Sequence, residues 1–510
     1  MRAGEAAGAG AYTFDGYLSA RPTSYLEGDR LLERWLGSRP LPGAADALVE
    51  HFGRFAATRL REIADFVERR ENLPRLSDPD PYHRGDVEVV IPAETREALA
   101  EIHGSGLWQP DLPERARYAI VYLLNQNGEA GVTCSTACTD GLARILRARG
   151  RDRRNREVLE AIESSTPERF VHGAQFVTEI QGGSDAGTNA LLARPARDGL
   201  FELEGTKWFC SNPTADYWLV TGRVPGAPEG APGVSLFCVP RLWNGRRNGH
   251  RFLRLKDKLG TRALPTAEID FEGARGFAVG PLEKGLRDMV AVVLVTSRIH
   301  CVLASAAITR AAVREARAYA AFRHAFGRRL EEHPLLATSL EELEQQTELA
   351  EAGAFATVDA WVAAAEKPDD EAQRLWSRVL VSLAKALGTR QAVERVYRAM
   401  MVLGGNGIEE RFSPLPRLWR DAAIFEAWEG PYTLMLMQAF RDLVRFGVAG
   451  REESLLLFGL GERTTQELVG ELAAVLRYPD DPASAVRFGE LAPRLYAAFE
   501  QRARDELTAA

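Results

Sequence analysis

The hydrophobic periodicity of this chain changes character twice, and that double switch constrains its fold more than any single motif. Over residues 25–170 apolar side chains recur three and four apart, the spacing of one helix face. Residues 31–36 open one amphipathic run and 45–70 continue it. After a Pro- and Asp-rich break at 76–81 the pattern resumes at 94–104, 112–126 and 139–149. Near Val171 the runs shorten and become β-like, at 175–178, 200–204, 217–224, 234–239 and 267–271. Asp198-Gly199, between two such runs, is a hairpin signal. Helical spacing returns near residue 283 and holds over 296–322, 334–366 and 369–400. A Gly404-Gly405-Asn406-Gly407 loop and the 412–416 stretch interrupt it, and it resumes after Tyr432. The expectation is an α+β multidomain protein. It would comprise an N-terminal helical domain (1–170), a middle β domain (171–280), a C-terminal helical bundle (281–445) and a helical extension (446–510). A length of 510 residues suits about three domains.

Charge narrows the partners. A formal net charge of −7 argues against nucleic acid as the main partner, while leaving room for a local basic patch. Lysine is rare: Lys207, Lys256, Lys258, Lys284, Lys367 and Lys385 stand among 64 basic residues, the rest of which are Arg. Five cysteines, an odd and small number for this length, speak against a disulfide framework. Cys134 and Cys138 lie close enough to share a helix face, but no second Cys/His cluster accompanies them, so buried thiols and no metal are expected. Residues 1–12 are Gly/Ala-rich and lack an apolar core, and they read as a frayed tail rather than a signal peptide. The most apolar stretch, 289–296, is far short of a membrane span and Arg298 closes it. A cytoplasmic protein that does not enter a membrane is expected.

Four separated clusters carry residue types suited to chemistry. In Phe176-Val177-Thr178-Glu179-Ile180-Gln181-Gly182-Gly183-Ser184-Asp185 a strand runs into a Gly-rich turn. Glycines let backbone N–H groups approach a ligand, and the hydroxyls add donors. An ordinary strand-to-turn junction reads the same way. Gly205-Thr206-Lys207-Trp208-Phe209-Cys210-Ser211-Asn212 offers aromatics to stack on a ring and a hydroxyl for its edge. Locally, an aromatic core strand ending in a turn is the simpler account. Arg323-His324-Ala325-Phe326-Gly327 follows a long helix; Arg suits pyrophosphate, and Phe326, three residues on, falls on the same helical face. An isolated basic helix end is more often simply solvated. The fourth cluster runs over 402–432 and ends in Trp428-Glu429-Gly430. Glu429 is either a buried base, its pKa raised by a Trp wall and low dielectric, or a Glu favoured by a helix N-terminus. No G-x-G-x-x-G follows a first strand, and no G-x-x-x-x-G-K-[ST] or G-x-S-x-G occurs. A dinucleotide, if bound, is not held in a Rossmann manner.

Taken together and in order, these clusters resemble the acyl-CoA dehydrogenase family. Val177-Thr178-Glu179 with Gly182-Gly183-Ser184-Asp185 is similar to its first signature, and Lys207 to Asn212 to its flavin-facing strand. Arg323 with Phe326-Gly327 resembles its cofactor-clamping helix start. Leu403 to Gly407, Arg420-Asp421 and Trp428-Glu429-Gly430 resemble its C-terminal signature. The resemblance leans toward the AidB-like branch, on 178–185, on 253–260 and on the longer helical C-terminus. It implies the fold of that family and FAD as cofactor. Val177, Thr178, Gly183 and Ser184 would then bind the flavin edge and phosphate region, Phe209 would pack on the isoalloxazine, and Ser211 would approach its N5. Arg323 and Phe326 would hold the pyrophosphate of a neighbouring subunit's FAD, with Gly404 and Gly405 near its adenine side, which implies a homo-oligomer, usually a tetramer. Glu429 would be the catalytic base for α,β-desaturation of an acyl-CoA or carrier-bound acyl thioester, the hydride passing to flavin.

Some positions depart from the family pattern. Pro431 stands where Thr or Ser is usual, His333-Pro334 where His-Gln is frequent, and the substrate-facing segment 134–142 is unlike common fatty acyl-CoA enzymes. Two further functions stay open: a DNA-associated flavoprotein of the alkylation response, and an oxidase or tailoring enzyme on the same fold. Residues 441–510 carry nine Arg and no Lys against twelve acids, a net of −3, which weighs against DNA.

Overall fold

The structure is a computed structural model that describes residues 12–82 and 86–509; apart from Tyr12, the stretch read as a frayed tail lies outside them. The N-terminal part is helical, as its spacing requires. The helix Arg30–Gly37 buries Leu31, Leu32, Trp35 and Leu36 on one face, and Asp29 caps it by accepting from the Leu32 N–H. Glu114–Asn125 (α1) is buried nearly all round. Thr133–Arg149 (α2) begins earlier than its apolar repeat indicated, because its first turns are built of buried Thr133, Ser135 and Thr136 rather than aliphatic residues.

Seven strands form the central sheet: β1 (Gly173–Phe176), β2 (Leu192–Pro195), β3 (Leu200–Ser211), β4 (Tyr217–Arg223), β5 (Val234–Pro240), β6 (His250–Leu255) and β7 (Thr266–Ala278). Their spatial order is β6-β7-β3-β2-β4-β1, with β5 joining β4 and β7. The β1–β4 ladder and the single β2–β4 pairing are parallel, and the rest are antiparallel. The β2–β3 hairpin turns where the sequence signalled, with Asp198 at φ +59° and Gly199 at φ +70°. Strands β2 and β6 were not among the expected runs. The first ends in a proline and half of it is exposed, and the second alternates buried His250 and Phe252 with exposed Arg251 and Leu253.

The helix Val295–Phe322 (α3) follows a π-helical turn, Met289–Leu294. The run Leu282–Phe322 is, among the described residues, long and apolar enough to cross a membrane, but 78% of its apolar window is buried inside the protein. It is a core helix: Pro334–Glu366 (α4), Thr389–Val402 (α6) and Leu415–Ala427 (α7) pack against it. Glu371–Leu383 (α5) runs into α6 through another π-helical turn, Ala384–Gly388, where the spacing predicted one unbroken helix. Tyr432–Arg445 (α8) packs on α5. The extension ends in Pro482–Ala509 (α9), which lies along α4 and reaches the Arg30–Gly37 helix, where Arg34 Nη1 donates to the Thr508 carbonyl at 2.8 Å.

Three parts of the chain meet at the buried Asp421 of α7. Its carboxylate accepts the Glu129 N–H at 3.0 Å and the Thr261 N–H at 2.6 Å. A Cβ on Gly128 would stand 2.5 Å from Asp421 Oδ2, and one on Gly260 would stand 2.3 Å from the Arg420 carbonyl oxygen. Gly128 also has φ +72°, so Gly128→Ala combines left-handed strain with overlap. Its expected destabilisation in urea unfolding is about 3 kcal/mol. Gly470, helical and with nothing within 4 Å of an added Cβ, is the control. Gly470→Ala should stabilise by about 0.5 kcal/mol. Equal midpoints for the two variants would show that the junction yields without cost.

Candidate active site

A cavity of about 1350 Å³ lies between the sheet and the helical bundle. Its sheet wall is positioned by a lysine. Lys207 of β3 points into the core while Phe209 and Ser211 face the cavity, and a register shift opposite this stretch, between Ala267 and Ile269, sets that alternation. Lys207 Nζ donates to Glu179 Oε1 at 2.7 Å, with the Val177 carbonyl, Asn189 Oδ1 and Thr221 Oγ1 at 3.0–3.1 Å. Burial pushes the Lys207 ammonium down to about 8 against the pull of Glu179. Burial pushes Glu179 up, but Lys207 outweighs it and holds the carboxyl below the usual range, so the pair is ionised at neutral pH. Glu179 also accepts the Ala190 N–H at 2.6 Å and the Leu191 N–H at 3.2 Å, which closes the Gly-rich turn. Within that turn a Cβ on Gly182 would stand 2.3 Å from Thr188 Oγ1, so only glycine fits. The turn thereby presents Val177, Thr178, Gly183 and Ser184 to the cavity. Lys256 Nζ lies 3.3 Å from the Trp208 ring centroid and 4.7 Å from that of Phe209, and bonds Glu268 Oε1 at 2.6 Å. Phe209 keeps 49% of its surface exposed.

The helical wall carries Glu429. It sits between α7 and α8 at φ +58°, a left-handed conformation that non-glycine residues rarely adopt, and Gly430 follows at φ +106°. Glu429 precedes a helix N-terminus, yet its carboxylate turns to Gln175 of β1, whose Nε2 donates to Glu429 Oε1 at 3.0 Å and to Ser297 Oγ at 3.1 Å. The backbone around it is clamped from two helices. Arg298 Nε donates to the Glu429 carbonyl at 3.0 Å. Lys385, placed by the π-helical turn, donates to the Glu426 and Gly430 carbonyls at 2.8 and 2.5 Å. Burial raises the Glu429 carboxyl above the usual glutamate range, opposed by Arg298, Lys385 and the Gln175 bond. Burial pushes Lys385 down to about 8. Pro431 supplies no side-chain cap to α8.

The cavity thus gathers Val177, Thr178, Gly183, Ser184, Phe209, Ser211 and Glu429. Arg323, Phe326, Gly404 and Gly405 lie outside it. Arg323 and Phe326 do not share a helix face: α3 ends at Phe322, and His324-Ala325 pairs with Arg328-Arg329 around a Phe326-Gly327 turn with φ +51° and +81°. The left-handed Phe-Gly pair is a hairpin turn, which the basic helix-end reading overlooked. Phe326 is 96% exposed, and Gly404 and Gly405 sit in an exposed turn. Sequence reasoning missed Gln175, Arg298, Lys385 and Lys258 as members of the site. Lysine rarity was the usable signal: of six lysines, Lys207 and Lys385 are buried supports and Lys256 and Lys258 line the cavity. Cys134 and Cys138 also line it, their sulfurs 3.9 Å apart and both reduced.

These residues fit a flavin dinucleotide. They offer a bare aromatic face, hydroxyls at Thr178, Ser184 and Ser211, glycines where a backbone must be approached, and a volume beyond the roughly 300–1,000 Å³ of ordinary ligand pockets. The chain matches the acyl-CoA dehydrogenase middle domain over residues 174–274 and the C-terminal domain over residues 283–444. It is 37% identical to AidB of Escherichia coli over 268 residues, 52% of this chain and 47% of AidB, so it spans about half that relative's length. It is 30% identical to 3-methylmercaptopropionyl-CoA dehydrogenase of Ruegeria pomeroyi over 413 residues, 76% of this chain and 68% of the relative. Among solved structures, the apo-form of Bd2924 superposes with a TM-score of 0.87 at 26% identity, covering 96% of this chain and 98% of that one. Caenorhabditis elegans ACDH-11 in complex with C11-CoA gives 0.84 at 23% identity, over 98% and 89%. An FAD complex of acyl-CoA dehydrogenase from Bacillus anthracis gives 0.67 at 17% identity, over 98% and 82%. The last two likenesses speak to the fold.

Lys207→Met should leave Glu179 buried without its cation, costing about 3–5 kcal/mol, and should loosen the Gly-rich turn. The expected outcome is a protein purified with substoichiometric flavin. Full flavin content with wild-type stability would show that the turn does not depend on this ion pair.

Proposed function

The chain belongs to the acyl-CoA dehydrogenase family, and on that premise we propose that it is an FAD-dependent oxidoreductase that desaturates acyl thioesters, with Glu429 as the base. The observation that carries this reading is that Glu429, on the helical wall, shares one cavity with Thr178, Phe209 and Ser211 of the sheet wall. Bound FAD would accept the hydride leaving the substrate's β carbon. The chain's own work is at the α carbon. Glu429 takes the α proton on its carboxylate, and Gln175, by engaging Oε1, fixes the carboxylate's orientation. Burial makes Glu429 a stronger base than an exposed glutamate, and Arg298 and Lys385 oppose that rise.

An acyl-CoA or a carrier-bound acyl thioester is the substrate class this supports; the fold neighbour ACDH-11 was solved with C11-CoA. The net charge of −3 over residues 441–510 favours this reading over a DNA-associated one. Arg323, Phe326, Gly404 and Gly405 stand outside the cavity, and a homo-oligomer, a tetramer by family likeness, in which they complete a neighbour's cofactor site accounts for their exposure.

Anaerobic titration with a panel of acyl-CoAs tests the reaction: bleaching of the oxidised flavin band supports it, and peroxide formed in air would assign an oxidase instead. Glu429→Gln should retain FAD and lose flavin reduction by about 10³-fold; reduction at the wild-type rate would remove Glu429 as the base. The ionised carboxylate is the active form, so flavin reduction should fall as pH drops through a midpoint above the ordinary glutamate value of about 4.3. A stopped-flow pH profile with its acid limb at or below that value would contradict the buried-base assignment.

A further inference from the structure

Beside Glu429 the main cavity borders a second one of about 40 Å³, and Gln175, Trp428, Cys134 and Cys138 line both. Three of its lining groups are buried polar atoms without a hydrogen-bond partner: Gln175 Oε1, His300 Nδ1 and Trp428 Nε1, the last with only the weak sulfur acceptor of Cys301 near it. The roles of Gln175 and Trp428 follow from their chemistry and their other bonds. Gln175 spends its amide N–H groups on Glu429 and Ser297, so its oxygen faces this cavity as an acceptor. His300 is buried, and its Nε2 meets Asp140 Oδ2 at 3.1 Å. Burial pushes the Asp140 carboxyl up, but Arg144 at 2.8 Å and the His300 bond outweigh it and hold it well below the usual range. Asp140 is therefore an anion and takes the N–H of His300 Nε2, which leaves the other ring nitrogen, Nδ1, as a polar group without a partner in this cavity. Trp428 Nε1 can only donate. The cavity thus offers an acceptor, a donor and an imidazole nitrogen, all without partners.

We propose that this cavity is the floor of the acyl subsite and holds a small hydrogen-bonding group, with His300 a specificity-determining residue; this rests on the dehydrogenase reading above. A volume of 40 Å³ takes only a few water-sized positions, not a run of methylenes. A hydrocarbon tail pushed into it would strand three polar groups, each worth about tenfold in affinity. The group comes from one of two sources: the polar end of the acyl chain, such as a carboxamide or hydroxyl, or a water left in place beneath a short chain. Either way the protein selects short or polar-ended acyl thioesters over long linear hydrocarbon ones.

The test is a set of CoA thioesters: butanoyl, the same chain ending in a carboxamide or hydroxyl, and octanoyl to dodecanoyl. Kd is read from the perturbation of flavin absorbance and the reduction rate is followed separately, in the wild type, His300→Leu and His300→Gln. The expected wild-type preference for short or polar-ended thioesters over dodecanoyl is tenfold or more in Kd. His300→Leu should shrink that ratio about tenfold, and His300→Gln, which keeps a hydrogen-bonding end, should restore it. A gain from the polar end assigns the occupant to the substrate, and short chains favoured with no such gain assign it to water. Where His300→Leu does not fold, Trp428→Phe removes the donor and should shift the ratio the same way. Dodecanoyl binding as tightly as butanoyl, or a ratio unmoved by these variants, overturns the proposal. If thioesters bind with the expected ratio but none reduces the flavin, the dehydrogenase reading falls and the polar floor stands; if long chains bind best and reduce the flavin, the reverse holds. Absence of any thioester binding overturns both.

Discussion

The structure hangs on one buried carboxylate. Asp421 accepts a backbone N–H from the loop before α2 and another from the loop before β7, and it belongs to the helix that ends at Ala427, two residues before Glu429. Helical N-terminal part, sheet and bundle are therefore pinned through a single side chain. Burial raises the Asp421 carboxyl, and the two backbone bonds with Arg417 and Arg420 oppose that rise. The pinning extends sideways. Glu129, whose N–H Asp421 holds, accepts the Gly131 N–H at 2.7 Å and the Cys134 N–H at 3.3 Å, and so anchors the start of α2. Burial pushes Glu129 up to about 8 against the pull of Lys258. Lys258 itself lines the cavity and bonds Thr266 Oγ1 at 2.9 Å, a group that also meets Ser211 Oγ at 3.0 Å. The joint between the domains and the wall of the site share side chains, so the joint also sets where Glu429 stands against the sheet.

The two walls solve the same problem by different means. On the sheet side one ammonium gathers acceptors from the Gly-rich turn and from β4, and the turn that needs glycine is shaped around it. On the helical side two cations grip carbonyls on either side of a strained residue. A left-handed Glu429 costs about 1–3 kcal/mol and persists only where its surroundings over-determine it. Arg298 and Lys385 do so, and the same charges temper its basicity. Geometry and acidity are set by one pair of residues.

The α–β–α texture was legible because period-3.6 and β-type runs occupy separate segments, and Thr178, Phe209 and Glu429 were legible because they sit in short motifs. Gln175 was not: within β1 it is one polar residue between core positions, and only the chain's return some 250 residues later gives it a partner. Arg298 and Lys385 were hidden in helices whose patterns carry no mark of what their ends reach. Lys385 further depends on a π-helical turn, which shifts a helix face without leaving a distinctive sequence trace. The segment at Arg323 was misread for a physical reason: a three-residue separation means a shared face only inside a helix, and the chain leaves the helix at that point. The polarity of the small cavity by His300 depends on which nitrogen Asp140 engages, a fact of three dimensions alone.

The helix α9 lies against α4 and touches the Arg30–Gly37 helix, joining residues 474 positions apart. In topological terms this is a closure made late. During synthesis the Arg30–Gly37 helix emerges long before its α9 partner exists, so part of its surface must wait, open to solvent and to chaperones. Contacts of such sequence separation slow the final assembly step rather than the early collapse. Truncations within α9 would therefore act on the Arg30–Gly37 helix, far from the cut in sequence.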